Sequence, residues 1–117
     1  MTKAMEVTVR RADAAARVVV VGEVDLASAD RLREALDSEL GSGRPVLVDL
    51  ESCTFIDSVG LSVLVQAAQH AGRTLGIVSP SPAVRRLIEL TQLDSLIPVF
   101  ESEADAADIT SSRAPAE

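Results

Sequence analysis

The sequence is poor in aromatic residues and in side chains that bind metals. It contains two Phe, no Trp, no Tyr, one Cys and one His. Without Trp or Tyr the chain has little with which to stack nucleic-acid bases, and a net charge of −7 disfavours contact with a phosphate backbone. One Cys and one His cannot form a disulfide or the usual nitrogen–sulfur metal site. We therefore expect no nucleic-acid partner, no metal and no cofactor.

Long apolar segments are also missing. The first five residues lack the apolar run of a signal peptide, and Arg17 and Glu23 bracket the Val18–Val21 run. We therefore expect a cytoplasmic protein with no membrane association.

The length and balance of the chain indicate one domain over residues 1–117, with its core within about residues 5–100. Hydrophobic residues make up 47% and charged residues 25% of the sequence, which is typical of a globular domain. Residues 101–117 carry five acidic residues and one basic residue. This acidic segment is expected to be a frayed tail, although a short helix from Glu103 to Ile109 is compatible with it.

Hydrophobic periodicity predicts a mixed α/β fold. The predicted strands are Met5–Arg11, Arg17–Val24, Pro45–Leu50, Thr74–Val78 and Leu96–Phe100. The predicted helices are Ala29–Leu40 with Ser28 as its cap, a helix from the Asp57–Ser58 turn to about Ala71, and Pro82–Thr91. The order β-β-α-β-α-β-α-β predicts a mostly parallel sheet with an N-terminal antiparallel hairpin and packed α-helices.

In such a sheet, the loops that follow the parallel strands collect at one edge, where these folds place their sites. Three loops meet this condition: residues 23–27, 51–59 and 79–82. Asp25, Asp57 and Ser58 are thus predicted to share one surface, with Glu51 nearby.

Ser58 is the most informative residue of this surface. It stands where an apolar strand region gives way to an apolar-striped helix, so the helix N-terminus there favours an anion. A phosphate on Ser58 would add a charge of about −1.5 to −2. Two roles remain open for Ser58, helix cap and phosphorylation switch, and they are compatible. Asp25 likewise either closes a turn or contacts a partner.

Four segments of the chain, in this order, resemble the anti-sigma factor antagonist family, the single STAS-domain proteins of bacterial partner switching. They are Gly22–Leu26, Val48–Leu50, Phe55–Leu61 and Ser81–Leu87 with Leu90–Thr91. The resemblance implies that an anti-sigma factor serine kinase phosphorylates Ser58. It further implies that the unphosphorylated protein binds this kinase and frees a sigma factor, that phosphorylation abolishes binding, and that a serine phosphatase resets the system.

The resemblance also places Asp25, Asp57, Val59 and Gly60 with Ser58 in the docking surface. Val59 stands where the family often has a smaller residue, and Ser62 where it often has Gly. These departures bear on the choice of partner. The oligomeric state stays open, with a monomer or a weak dimer as the expectation.

Other functions of the same fold remain alternatives. One is a STAS subunit of a transport complex, and another is a small-ligand or nucleotide sensor; neither needs phosphorylation. A serine hydrolase ranks last, because the one histidine, His70, lies about 18 Å along the predicted helix from Ser58. We therefore expect no enzymatic activity.

Overall fold

The computed structural model describes residues 5–11, 15–71, 74–102 and 104–106. Its strands are β1 (Glu6–Arg11), β2 (Ala16–Val24), β3 (Val46–Asp49), β4 (Cys53–Ile56), β5 (Leu75–Val78) and β6 (Val99–Phe100). Its helices are α1 (Ala29–Leu40), α2 (Ser58–Ala71) and α3 (Pro82–Thr91), and a 3-10 turn covers Leu93–Ser95. None of the helices in these ranges is long and apolar enough to cross a membrane.

The described strands form one mixed sheet. Its order is β1-β2-β3-β5-β6, and β4 pairs with β2 away from this path. Only the β1–β2 pair is antiparallel, while β3, β4, β5 and β6 run parallel to their neighbours. The predicted fold class, a mostly parallel sheet with an N-terminal hairpin and packed helices, is confirmed.

The predicted element order is wrong by one strand, because the sequence analysis placed β4 inside a loop. β2 pairs first with β3 through Ala16–Val19 and then with β4 through Gly22–Val24. The register shifts between Gly22 and Glu23, where Gly22 adopts a φ of 97° that an L side chain rarely accepts. β4 has two exposed residues in succession, so it lacks the period-two pattern that marks a strand.

Aliphatic side chains from the sheet and the helices fill the core, as the shortage of aromatics requires. Among the largest fully buried residues are Val18, Val20 and Val24 of β2, Leu32 and Leu36 of α1, Ile56 of β4 and Leu64 of α2. Spacing of four residues puts Leu32 and Leu36 on one face of α1. This packing fixes α1 and α2 against the strands whose ends carry the site.

The described part of the acidic C-terminal segment packs against the domain. Ala106 is fully buried with Leu47 and Val78 in a small second cluster. Glu101 pairs with Arg85 of α3, with 2.6 Å between Oε2 and Nη2. Residues 104–106 form a turn, and the rest of the predicted 103–109 helix lies outside the described residues.

Candidate functional site

The carboxyl ends of β2 and β4 lie side by side. Val24 pairs with Ile56, and the next backbone N–H, that of Asp57, donates to the Val24 carbonyl at 3.0 Å. Asp25 and Asp57 directly follow the paired residues, and Ser58 follows Asp57. The structure thus brings together the three residues that the sequence analysis assigned to one surface.

The loop that follows β5 does not reach Ser58 but contacts the start of β4 and the segment between β3 and β4, which also contains Glu51. The Ser81 N–H donates to the Leu50 carbonyl at 3.1 Å, and the Ser81 hydroxyl donates to the Cys53 carbonyl at 2.6 Å. Leu50 directly follows β3 and Cys53 begins β4, whereas Ser58 follows the end of β4, about 10 Å from Cys53 or more at the usual rise of a strand. Glu51 lies two residues before β4 and Ser58 two residues after it, and the expectation that Glu51 adds charge beside Ser58 stays a prediction.

Asp57, rather than Ser58, caps α2. Its Oδ1 accepts the Gly60 N–H at 3.0 Å, and its carbonyl accepts the Leu61 N–H at 2.9 Å. Ser58 is the first residue of the helix and is exposed. The Asp57 carboxylate therefore takes the cap position and leaves the Ser58 hydroxyl at the protein surface.

Gly60 and Val59 lie deeper than Ser58. Gly60 is buried, and a Cβ there would come within 2.7 Å of both Val24 Cγ1 and Ile56 Cγ2. Val59 is half-buried against the main core. Gly60 thus allows α2 to approach the ends of β2 and β4 closely, and we assign it a packing role within the predicted docking surface.

Asp25 closes the turn between β2 and α1. Its Oδ1 accepts the Ser28 N–H at 3.2 Å and lies 3.1 Å from the Ser28 hydroxyl, while the Asp25 N–H donates to that hydroxyl at 3.0 Å. Ser28 stands at the cap position of α1, but its side chain makes no capping bond to the helix. The expectation that Ser28 caps α1 is wrong, because its hydroxyl bonds to Asp25 instead.

Two large apolar residues at this edge were missed by the sequence analysis. Leu26, one residue after Asp25, is 76% exposed, and Phe55, two residues before Asp57, is 46% exposed. The available signal was a leucine directly after Asp25 and one of only two aromatic residues placed two positions before Asp57. Neither position belongs to a periodic pattern, so exposure had to come from the structure.

Two reactive side chains lie away from Ser58 or are shielded. His70 is near the far end of α2, about 18 Å from Ser58 at the usual helical rise. Burial raises the pKa of the Cys53 thiol to about 11, so this thiol stays protonated and unreactive near neutral pH. Across the described part of the chain, no group of three or more His, Cys, Asp or Glu residues is placed to hold a metal ion.

Comparison with known proteins identifies relatives over most of the chain. The anti-sigma-F factor antagonist RsfB of Mycobacterium tuberculosis is 33% identical over 103 residues, covering 86% of this chain and 84% of that relative. The anti-sigma-B factor antagonist of Staphylococcus aureus is 34% identical over 88 residues, covering 72% and 82%.

A solved structure agrees with this similarity. The crystal structure of an anti-sigma factor antagonist from Mycobacterium paratuberculosis superposes with a TM-score of 0.83 at 31% identity, covering 92% of this chain and 95% of that one. The STAS domain family model matches residues 6–106. These matches confirm the resemblance seen in the four sequence segments, and the chain belongs to the STAS domain family.

Proposed function

We propose that this chain is an anti-sigma factor antagonist that is switched by phosphorylation of Ser58. The unphosphorylated protein binds an anti-sigma factor serine kinase and so releases a sigma factor, and a serine phosphatase restores this form. The names of the two relatives support the antagonist role. The observation that carries the switch is the exposed Ser58 at the start of α2, with the cap position taken by Asp57.

Electrostatics gives the proposed switch its direction. A phosphate on Ser58 would bring about −1.5 to −2 charges next to Asp57 and near Asp25. In a complex with a kinase it would also face the phosphates of the bound nucleotide. The helix N-terminus offsets only about 0.3–1 kcal/mol of this repulsion.

Burial of the phosphate in a contact surface adds a larger cost. An ionised group that loses water without a compensating partner costs several kcal/mol. Because about 1.4 kcal/mol is a tenfold change in affinity, phosphorylation is expected to weaken binding by a factor of about one hundred or more. The switch thus requires no change of fold.

The other predicted docking residues take different parts in this proposal. Asp25 and Asp57 contribute carboxylates to the docking surface while each also holds a local turn or cap. Half-buried Val59 contributes a limited apolar contact, and Gly60 acts through packing. In the same proposal the protein works in the cytoplasm, without catalytic activity, as a monomer or a weak dimer.

Phosphate transfer from purified kinases tests the proposal. Each anti-sigma factor serine kinase of the source genome is incubated with the chain and labelled ATP, and the modified residue is located by mass spectrometry. We expect one phosphate on Ser58, none in Ser58→Ala, and unchanged labelling in Ser62→Ala. Ser62 is the matched control, because it is exposed one turn further along α2 and its hydroxyl donates to the Ser58 carbonyl at 3.0 Å.

The opposite result has a clear meaning. If no kinase labels the wild-type chain, or if the label stays in Ser58→Ala, the phosphorylation switch is wrong. Absence of label with every kinase would favour the transport-subunit or sensor alternatives.

A further inference from the structure

We infer that Leu26 and Phe55 are the apolar anchors on which the anti-sigma factor kinase docks, and that their contribution to affinity is separate from the charge state of Ser58. This inference rests on the proposed function and deepens it. It assigns binding energy to two residues and leaves the regulation of binding to a third.

Exposure singles out these two residues. In the described ranges, four large hydrophobic residues are exposed: Leu26 at 76%, Phe55 at 46%, Leu90 at 68% and Leu96 at 53%. Phe55 lies two residues before Asp57, and Leu26 lies in the loop after β2, whose last residue pairs with Ile56. Large apolar side chains that stay in water next to a functional group are typical of contact surfaces, and aromatic residues are frequent among the energetically dominant ones.

The strand pairing sets the distances between them. Phe55 pairs with Glu23, and Leu26 lies two residues beyond Val24, the partner of Ile56. With about 3.8 Å between successive Cα atoms and about 4.8 Å between strands, the Cα atoms of Leu26 and Phe55 are at most about 16 Å apart. Phe55 and Ser58 are at most about 11 Å apart by the same geometry. A typical contact patch of about 800 Å² per partner is wide enough to cover all three.

The chemistry of phosphoryl transfer decides the occupant. A kinase that phosphorylates Ser58 must bring the terminal phosphate of ATP to about 3–3.5 Å from the Ser58 hydroxyl. Its surface must then cover the neighbourhood of Ser58, and chain geometry places the Cα atom of Phe55 within about 11 Å and that of Leu26 within about 20 Å of Ser58. A second copy of this chain is disfavoured as the occupant, because it would bring Asp25 and Asp57 of both copies face to face.

Two kinds of interaction at one surface respond differently to salt. Burial of Leu26 and Phe55 is driven by removal of apolar area from water, which added salt does not weaken. Repulsion from a charge at position 58 is screened, because the Debye length falls from about 10 Å at 0.1 M to about 3 Å at 1 M ionic strength. Salt therefore separates the anchor contribution from that of the switch.

The test measures dissociation constants for the purified kinase that labels Ser58, loaded with ADP so that no transfer occurs. We expect Leu26→Ala and Phe55→Ala each to weaken binding at least about tenfold, equally at 0.1 M and 1 M NaCl. Phe55→Leu, which keeps an apolar side chain, should recover much of the loss. Ser58→Asp should also bind weakly at 0.1 M salt and regain only part of the lost affinity at 1 M, because salt screens the repulsion but not the cost of burying the charge.

Leu90→Ala is the matched control, since Leu90 is about as exposed as Leu26 but lies in the last turn of α3. It should bind within about twofold of the wild type. Thermal melts of Leu26→Ala and Leu90→Ala should be nearly unchanged, because both side chains are mostly exposed, and Phe55→Leu controls for the stability that Phe55→Ala loses from the buried part of the ring. The inference is overturned if Leu26→Ala and Phe55→Ala bind like the wild type, or if Leu90→Ala loses as much.

Failure of the inference and failure of the proposed function look different. If Ser58→Asp loses affinity while both anchor variants keep it, the switch stands and the anchors are wrong. If the wild type and Ser58→Ala bind no kinase, the proposed function fails and the inference fails with it.

Discussion

Asp57 and Ser58 are adjacent in the chain but do different work at the start of α2. The Asp57 carboxylate accepts the Gly60 N–H at 3.0 Å, so it satisfies one of the amide groups that a helix leaves without an internal partner. The Ser58 side chain does not make this capping hydrogen bond and is exposed. At the scale of single residues, Ser58 can therefore be modified without loss of the helix cap, because Asp57 provides the cap.

Two substitutions of Asp57 distinguish the effect of its capping hydrogen bond on stability from the effect of its negative charge. Asp57→Ala should lower the free energy of unfolding by about 0.5–2 kcal/mol, because the cap is lost. Asp57→Asn keeps an oxygen for the Gly60 N–H and should stay within about 0.5 kcal/mol of the wild type. Urea unfolding measures both. Equal destabilisation by the two variants would contradict the assigned cap.

The sequence predicted the position of this pair but could not choose between its members. The spacing of Leu61, Leu64 and Ala68 marks where α2 begins. Asp and Ser are both preferred cap residues, so local preference does not decide which one accepts the hydrogen bond. The decision comes from the β2–β4 pairing, because the Asp57 N–H is held by the Val24 carbonyl.

At the scale of elements, α2 sits directly on the ends of β2 and β4. Gly60 makes this possible, because any Cβ at that position would meet Val24 and Ile56 at 2.7 Å. Both neighbours are β-branched and stiff at χ1, so they cannot easily move aside. The position of the Ser58 backbone relative to Asp25 thus depends on residue 60 being a glycine.

Substitution of Gly60 tests this packing. Gly60→Ala should destabilise the protein by about 1–2 kcal/mol, since overpacking costs about 1–3 kcal/mol and the better helix propensity of Ala returns up to about 1 kcal/mol. In a Val24→Ala background the same change should cost less, because one of the two close contacts is gone. Ser62→Ala, on the exposed side of α2, is the control and should shift stability by no more than about 0.5 kcal/mol. A stabilising Gly60→Ala would contradict the packing role.

Strand β4 shows the limit of pattern analysis at this scale. Four residues with two exposed in succession carry no period-two signal, so the sequence analysis could not find the strand. Gly22 pairs with Cys53 and Glu23 with Phe55, so Thr54 is an extra residue in β4 that interrupts the alternation along this strand. Long periodic elements such as α1 and α3, in contrast, were predicted with the bounds that the structure has.

At the scale of the whole molecule, an ion pair joins the first strand of the N-terminal hairpin to helix α1. Arg11 at the end of β1 donates to both carboxylate oxygens of Glu39 in α1, at 3.0 and 2.7 Å. Glu39 is only 3% exposed. Hydrogen bonds from Arg11 lower the pKa of Glu39 from its ordinary value of 4.5, against the opposing effect of burial.

This pKa shift predicts how stability depends on pH. A carboxyl group whose pKa is lower in the folded state stabilises the protein above its unfolded pKa and loses that contribution as the pH falls through the folded value. Wild type should therefore exceed Glu39→Gln in stability at pH 7, and the gap should close below about pH 4.5. Urea unfolding between pH 7 and pH 3 measures the gap. Glu34→Gln, an exposed position of α1, should show little gap at any pH.

The sequence predicted the fold class, the order of the helices and the shared surface of Asp25, Asp57 and Ser58, because these follow from periodicity and from the geometry of parallel sheets. It did not predict the Arg11–Glu39 pair or the exposure of Leu26 and Phe55. Both depend on how elements that are distant in the chain meet, which no local pattern contains.

In the proposed function, a negative charge at the exposed start of α2 removes a docked kinase. The most direct test is calorimetric titration of the purified kinase with the unphosphorylated chain and with the chain carrying one phosphate on Ser58. The phosphate should weaken binding at least about one hundredfold, with the fold unchanged by circular dichroism. Equal affinity of the two forms would contradict the proposed switch.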